Sequence, residues 1–529
     1  MIACAKVGLF RDLYNKKTQQ RVIAKEPKRL RESRCLRLFN QRLLVGSILI
    51  CLLLMSPGMS DPIRLHPDNP HYFEYQGKAL ALITSAEHYG AVINLDFDFI
   101  KYLDTLQAEG MNYTRIFSGT YVEPPGAFTI RRNTLAPAPG RFQAPWQRTM
   151  TSKTTASGGE KQFNLTRYER EYMLRLMHFV HAAYQRSIIV ELTLFSSTYS
   201  PKQWAIHPFN RKNNVNDSRI NNYRSLHTLS NGGILDYQKA FVALVVRELN
   251  TFDNLFYEIQ NEPWSDNHSI GDKINPYLED KDSFPNVTEI TTEASIRWQR
   301  AIAQVIVEEE SKQKKQHLIA QNIANFRLPI RDSDLVPEAS ILNFHYAYGE
   351  AVTWNYGLDK LIGCDETGFA GRSDDVYRNQ AWEFVLAGGG LFNNLDYSFT
   401  VEKEDGTDTR PNGPGGGSPK LRKQLKVLSE FIHSFKLEKL KPDYQTVKRS
   451  PGVVCRVLSE PGRQYALYIQ GRAPCTLDLD LPTGYYRSEW INPITGRVSG
   501  RADFNQFKAI KTLNSPMFKE AIVLRINRN

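Results

Sequence analysis

Between Leu255 and Trp264 the chain reads Leu-Phe-Tyr-Glu-Ile-Gln-Asn-Glu-Pro-Trp. Apolar, aromatic and β-branched residues open the run, which is the signature of a buried strand. Pro263 has no N–H to give a ladder and ends it. An amide and a carboxylate, Asn261 and Glu262, are thereby set side by side at a strand's carboxyl end. A later run, Lys360 to Gly368, repeats the pattern and closes on Asp365-Glu366-Thr367-Gly368. A chain with acidic residues at the ends of separate apolar strands is constrained toward a parallel sheet, where those ends share one rim.

The intervening sequence supplies the helices such a sheet requires. In order come a strand Ala79–Ser85, a helix from Phe97 to Ala108 capped by Gly110, and a strand Met111–Phe117. A long loop (118–164) precedes a helix from Leu165 to Gln185 and a strand Ser187–Phe195. A second loop (196–232) precedes the helix Asp236–Asn250 and the Leu255 strand. After a third loop (263–289) the pattern continues with a helix near Glu293–Lys312 and strands His317–Gln321 and Ile341–Tyr346. Beyond the Lys360 run come a helix Asp375–Ala387 and a strand Leu391–Tyr397. This alternation predicts a (β/α)8 TIM barrel over residues 61–440. From 441 to 529 short alternating runs separated by turn residues predict a small all-β sandwich. Aromatics in the first loop (Phe128, Phe142, Trp146) are equally compatible with stacking on sugar rings and with core packing. The glycine run Gly413-Pro414-Gly415-Gly416-Gly417 has little to bury, so its loop is flexible or faces a ligand.

Two glutamates on one barrel rim suit cleavage of a glycosidic bond, which needs a proton for the leaving oxygen and a carboxylate at the anomeric carbon. The stretch Tyr257 to Trp264 resembles the acid/base motif on strand four of clan A glycoside hydrolases, the cellulase-like superfamily. Asp365-Glu366-Thr367-Gly368 resembles its nucleophile motif on strand seven. The resemblance implies Glu262 as acid/base, Glu366 as nucleophile, and retention of configuration on a β-linked glycan. It likewise implies that Asn261 binds the hydroxyl beside the anomeric carbon and that Arg115 hydrogen-bonds the nucleophile. A tyrosine on strand six should touch that nucleophile. The order His345-Tyr346-Ala347-Tyr348 departs from the common His-x-Tyr and leaves Tyr346 and Tyr348 both as candidates. His345, His88, Trp264 and Tyr397 complete the substrate-binding set.

Asp365 is a rival nucleophile, but consecutive strand residues point to opposite faces, so only one of the pair should face the site. Glu366 should stay ionised with Arg115 holding its pKa down, and Glu262 should occupy the drier position that keeps a proton. Strands four and seven face each other across the mouth, which predicts the short carboxyl separation of about 5–5.5 Å. No cofactor and no metal is expected. A metal-dependent hydrolase would want a His-x-His pair where strand one offers only Glu87-His88. A barrel that binds carbohydrate without cleaving it is the main alternative.

The amino terminus accounts for the charge. Residues 1–60 carry twelve Lys/Arg against three Asp/Glu, so they hold +9 of the chain's net +11. Leu43 to Met55 is apolar but shorter than the ~20 residues of a membrane span, which reads as a signal peptide behind a long basic lead. The expected location is secreted or periplasmic, with an uncleaved membrane anchor as the alternative and no stable span after cleavage. With the remainder near neutral, nucleic-acid binding is excluded and an oligo- or polysaccharide is the expected partner. Cys455 and Cys475 are spaced to permit a disulfide in an exported chain, and Cys364 reads as a buried packing residue.

Overall fold

A computed structural model describes residues 61–150, 160–274, 284–409, 413–507 and 509–529. The expected signal segment lies outside them. Asp61–Asn529 forms one compact unit. Eight parallel strands make its centre: β1 (Leu82–Ala86), β2 (Tyr113–Phe117), β3 (Ile189–Ser196), β4 (Leu255–Asn261), β5 (Ile319–Asn325), β6 (Ile341–His345), β7 (Leu361–Glu366) and β8 (Leu391–Leu395). Their hydrogen-bonded order is β1-β8-β7-β6-β5-β4-β3-β2. The main outer helices are α1 (Phe99–Ala108), α2 (Arg170–Tyr184), α3 (Leu235–Leu249), α4 (Glu293–Glu310), α5 (Asp374–Leu386) and α6 (Pro419–Ile432). The expected TIM barrel is thus present.

Ladder bonds run along this path but do not join β1 to β2. A side chain bridges that seam. Ile83 N donates to Asn112 Oδ1 (2.8 Å), and Asn112 Nδ2 donates to Ala81 O (2.9 Å). Asn112 stands just before β2, so its amide supplies one acceptor and one donor where two backbones would otherwise leave theirs unmet. A single backbone bond, Phe117 N to Tyr89 O (3.1 Å), links the upper end of the same seam.

The barrel floor is apolar. Leu82, Tyr113, Ile189, Phe256, Ala320, Ile341, Leu361 and Leu391 cluster there, one from each strand, with Phe73 packed against them. Phe73 belongs to a three-stranded sheet (Arg64–His66, Asn69–Tyr75, Lys78–Leu80) that precedes the barrel. Ala79 and Leu80, expected within the first strand, belong instead to this sheet. Above the floor the interior turns polar and charged, and above that lies the mouth.

The carboxyl-terminal region is the expected sandwich. A six-stranded antiparallel sheet (Val453–Glu460, Gln464–Gly471, Ala521–Arg528, Gly484–Ile491 and Val498–Gln506, with Lys441–Pro442 at one edge) faces a three-stranded one (Val447–Arg449, Thr476–Asp480, Ile510–Asn514). Its barrel side joins the main core, where Tyr468 stacks on Trp382 of α5 at 5.7 Å. Cys455 and Cys475 are free thiols, so the disulfide allowed by their spacing is not formed here. Among the described residues no helix is long and apolar enough to cross a membrane.

The segment 160–168 corrects the sequence expectation. Phe163–Tyr168 is a strand paired with Trp146–Arg148, and helix α2 begins only at Arg170 behind Glu169. Phe163 and Leu165 are buried in the core on this strand, and Leu165 and Tyr168, three apart, run on into the apolar spacing of α2, so the helix was expected too early.

Asn112→Ala removes both bridging bonds at the β1–β2 seam. It should lower unfolding stability by about 1–3 kcal/mol for backbone groups left unpaired. Denaturant titration checks this; an unchanged midpoint would mean that the seam closes without the side chain.

Candidate active site

The strand ends converge on a pocket enclosing about 520 Å3 including its open mouth. Glu262 and Glu366 line it, together with Asn261, Tyr346, His88 and Tyr397. Tyr346 donates toward both carboxylates, to Glu262 Oε1 and Glu366 Oε1, at 3.0 Å each. His345 Nδ1 lies 3.0 Å from Glu262 Oε1 and 3.7 Å from Glu366 Oε1. One carboxylate oxygen of each glutamate and a His345 nitrogen lie within 4.8 Å of one another. Tyr89 donates to Glu366 Oε2 (3.0 Å), and Arg115 Nη1 reaches the same oxygen at 3.4 Å.

Local backbone geometry aims these groups. Tyr89, Glu262, Phe326, Tyr346 and Phe369 all have left-handed φ values of 46–79°, each just past a barrel strand. Non-glycine residues seldom adopt that conformation, and it turns the chain sharply as it leaves the sheet. At β7 the device is a bulge. Phe344 pairs with Cys364 and His345 with Glu366, so Asp365 has no partner across the ladder. Both Asp365 and Glu366 therefore point inward, against the expectation from strict alternation.

Asp365 lies one layer deeper than Glu366. It meets Arg115 Nη2 (3.2 Å) and His345 Nε2 (3.4 Å) and accepts from Asn322 Nδ2 (3.1 Å). Arg115 also donates to Glu258 through Nε (3.1 Å) and to Asn261 Oδ1 (2.8 Å). Glu191, Glu258 and Asp365 bring carboxylate oxygens within 4.8 Å of one another around this arginine. Asn261 Nδ2 in turn donates to the Tyr199 hydroxyl at 2.8 Å.

The proton balance differs from the expected one. Burial raises Glu366, and the Glu262 and Asp365 charges keep its carboxyl above the ordinary range despite His345 and Arg115. Burial also acts to raise Glu262, but the hydrogen bond and charge of His345 bring it below the ordinary range. His345 itself, though buried, is raised by the Glu366 and Asp365 charges. Deeper down, burial pushes Glu191 up to about 8 and Glu258 upward, the latter against the Arg115 charge. The two carboxyls of the pocket are thus shifted in opposite directions, Glu366 up and Glu262 down.

Other sequence candidates are placed plainly. His88 and Tyr397 line the pocket with rings stacked 5.6 Å apart, and Thr134 N donates to His88 Nε2 (3.1 Å). Trp264 is buried edge-on to His345 at 5.3 Å and does not line the pocket. Tyr346, not Tyr348, touches the glutamates. Phe128 lines the pocket, while Trp146 packs in the core against Phe209 and Phe241. Pro414 lines the mouth, and Gly413 and Gly415 flank the Tyr397 ring so closely that an added Cβ would meet it at 2.5 and 2.6 Å. Cys364 is buried outside the barrel interior among core residues.

Sequence reasoning passed over Tyr89, Glu123, Glu191, Tyr199, Glu258 and Asn322. Glu191 and Glu258 did carry a signal: an acid inside an apolar strand must be paired or protonated.

No family model and no curated protein matches the chain. Solved structures share its fold. A glycoside hydrolase family 5 structure from Bacteroides vulgatus ATCC 8482 aligns with TM-score 0.59 at 11% identity, covering 88% of this chain and 93% of that one. A structure titled glycoside hydrolase aligns with TM-score 0.56 at 10% identity over 89% and 97% of the two chains. The fold is therefore the barrel-and-sandwich architecture of these structures.

Glu87, wholly buried at the end of β1, accepts from Gly90 N, Ala91 N and Thr134 Oγ1, yet burial pushes it up to about 7 from 4.5. A carboxyl raised on folding contributes stability that is intact below the unfolded value and lost as pH rises through the folded one. Unfolding midpoints should fall between about pH 5 and pH 8, and Glu87→Gln should flatten that fall. An identical slope in the variant would show that Glu87 does not hold its proton in the folded state.

Proposed function

We propose that the protein is a retaining glycoside hydrolase acting on β-linked glycans, with Glu262 as acid/base and Glu366 as nucleophile. The observation that carries this reading is the Tyr346 hydroxyl bridging both carboxylates at 3.0 Å, with oxygens of the pair inside 4.8 Å. An inverting pair needs room for a water and a separation of about 6.5–9.5 Å, whereas a retaining pair stands at about 5–5.5 Å. Attack by Glu366 on the anomeric carbon would form a glycosyl ester as Glu262 protonates the departing oxygen. Water, deprotonated by Glu262, would then cleave the ester. Asn261 would take the neighbouring hydroxyl, and Tyr89 and Arg115 would stabilise the carboxylate when the ester breaks. An exported location fits such a substrate, and the basic amino terminus supports it.

The resting proton balance favours a second reading with the roles exchanged, because Glu366 is raised and Glu262 lowered. Tyr346 stands between the two and offers a route for the proton on substrate entry. The assignment to Glu262 rests on its place in the Asn-Glu pair ending β4.

The two readings give opposite results with the same variants. Glu366→Ala should abolish turnover of aryl glycosides, and azide, filling the vacated space, should partly restore it. Glu262→Ala should slow substrates with poor leaving groups far more than activated ones. Azide also attacks a glycosyl ester when only the acid/base is missing, so the anomer of the glycosyl azide decides: an inverted azide from Glu366→Ala supports the first reading, and an inverted azide from Glu262→Ala would establish the exchanged roles. Proton NMR of the first-formed sugar tests retention, and an inverted product would defeat both readings.

A further inference from the structure

A third carboxylate lines the pocket, and the hydrolytic scheme has no use for it. Glu123 is 6% exposed and sits on the segment following β2. Tyr121 donates to its Oε1 (2.7 Å), Asn133 Nδ2 donates to Oε2, and Glu123 N donates to Leu135 O (2.8 Å). Tyr121 is itself held by Gln203 Nε2 at 2.9 Å, and Asn133 Oδ1 accepts from Leu135 N at 2.9 Å. The carboxylate is thus fixed by residues from two separate loops. Each oxygen keeps a second acceptor position beyond the donor it already has. Apolar Phe128, Ile130 and Leu135 share this wall. The same segment folds tightly against the end of β1, where a Cβ on Gly90 would meet the Thr134 backbone at 2.2 Å.

We propose, resting on the hydrolase reading, that Glu123 binds two hydroxyls of an uncharged sugar unit at the end of a glycan, making the enzyme end-acting. A buried carboxylate on a pocket wall needs donors from what fills the pocket, and adjacent sugar hydroxyls provide a pair. Among the described residues the lining holds Glu123, Glu262 and Glu366 but no lysine or arginine, which disfavours uronic acids and sulfated sugars. Phe128, Ile130 and Leu135 stand with Glu123 in the pocket lining, and end action is inferred from this wall closing one side to a longer chain.

The test uses aryl glycosides of whichever neutral sugar the wild type cleaves, with versions deoxygenated at one position at a time. For one or two positions, wild-type kcat/KM should drop about 10- to 100-fold, the weight of a hydrogen bond to a charged group. Glu123→Gln and Glu123→Ala should show that loss on the complete sugar and no further loss on those deoxy sugars. Thermal melting checks that the variants fold, and the wild-type deoxy series stands without them. Oligosaccharides capped at the non-reducing end as a cyclic acetal should resist cleavage.

Unchanged kcat/KM in Glu123→Gln, or discrimination among deoxy sugars undiminished in both variants, would overturn the assignment while leaving hydrolysis intact. A uronide cleaved as fast as its neutral parent would overturn the neutral-sugar reading, and a capped chain cleaved as fast as a free one the end action. A wild type that cleaves no neutral glycoside would remove the hydrolase reading itself, and this one with it.

Discussion

A wholly buried guanidinium holds the barrel interior together. Arg115 contacts Glu258, Asp365 and Glu366 and donates to Asn261, so one cation reaches both the deep layer and the residues lining the pocket. Charge taken this far from water is costly unless paired and fully hydrogen-bonded, and removing one partner of such a pair typically costs about 3–5 kcal/mol. The planar fork suits the task, because five donors on one rigid plane can serve several carboxylates at once. Lysine has the charge without that geometry.

Counting protons around Arg115 explains how so much acid is accommodated. Glu191, Glu258, Asp365, Glu262 and Glu366 gather about two cations, Arg115 and His345. Burial raises Glu191 and Glu258, which works against a negative charge on either. Asp365 goes the other way: burial alone would raise it, but Arg115 and His345 hold it well below the ordinary range. Between Glu262 and Glu366, burial and mutual repulsion oppose two negative charges, while His345 and Arg115 favour them. The proposed double displacement needs one acid and one carboxylate at the start, and repulsion across the pair acts in that direction. Which of the two holds the proton depends on His345, since its charge is what lowers Glu262.

The barrel was legible in the sequence because its strands are short apolar runs ending in polar residues, and its helices carry a clear period. The two glutamates were legible for the same reason. What escaped had weak or misleading local patterning. Val498–Gln506 is a mostly exposed edge strand of polar residues and presents no apolar alternation. The strand Phe163–Tyr168 carries too few buried residues to set a period. Asn112 was unreadable, because bridging a seam with one amide depends on which backbones the closed barrel brings together. Glu123 sits in a loop whose path no periodicity describes.

The inward turn of both Asp365 and Glu366 shows why alternation failed where chemistry is concentrated. Strict pleating would send one of them out among the helices, where a charge finds no partner. A bulge adds one residue without breaking the strand, and it sits one position before Glu366. Left-handed residues at five strand ends act likewise, bending the chain so that side chains from distant strands meet. Such conformations cost of order 1–3 kcal/mol each and persist only where the surroundings hold them. Here the apolar floor and the Arg115 layer provide that hold. Regular strands make the scaffold predictable, and the departures from regularity bring Glu262, Tyr346 and Glu366 within hydrogen-bonding distance.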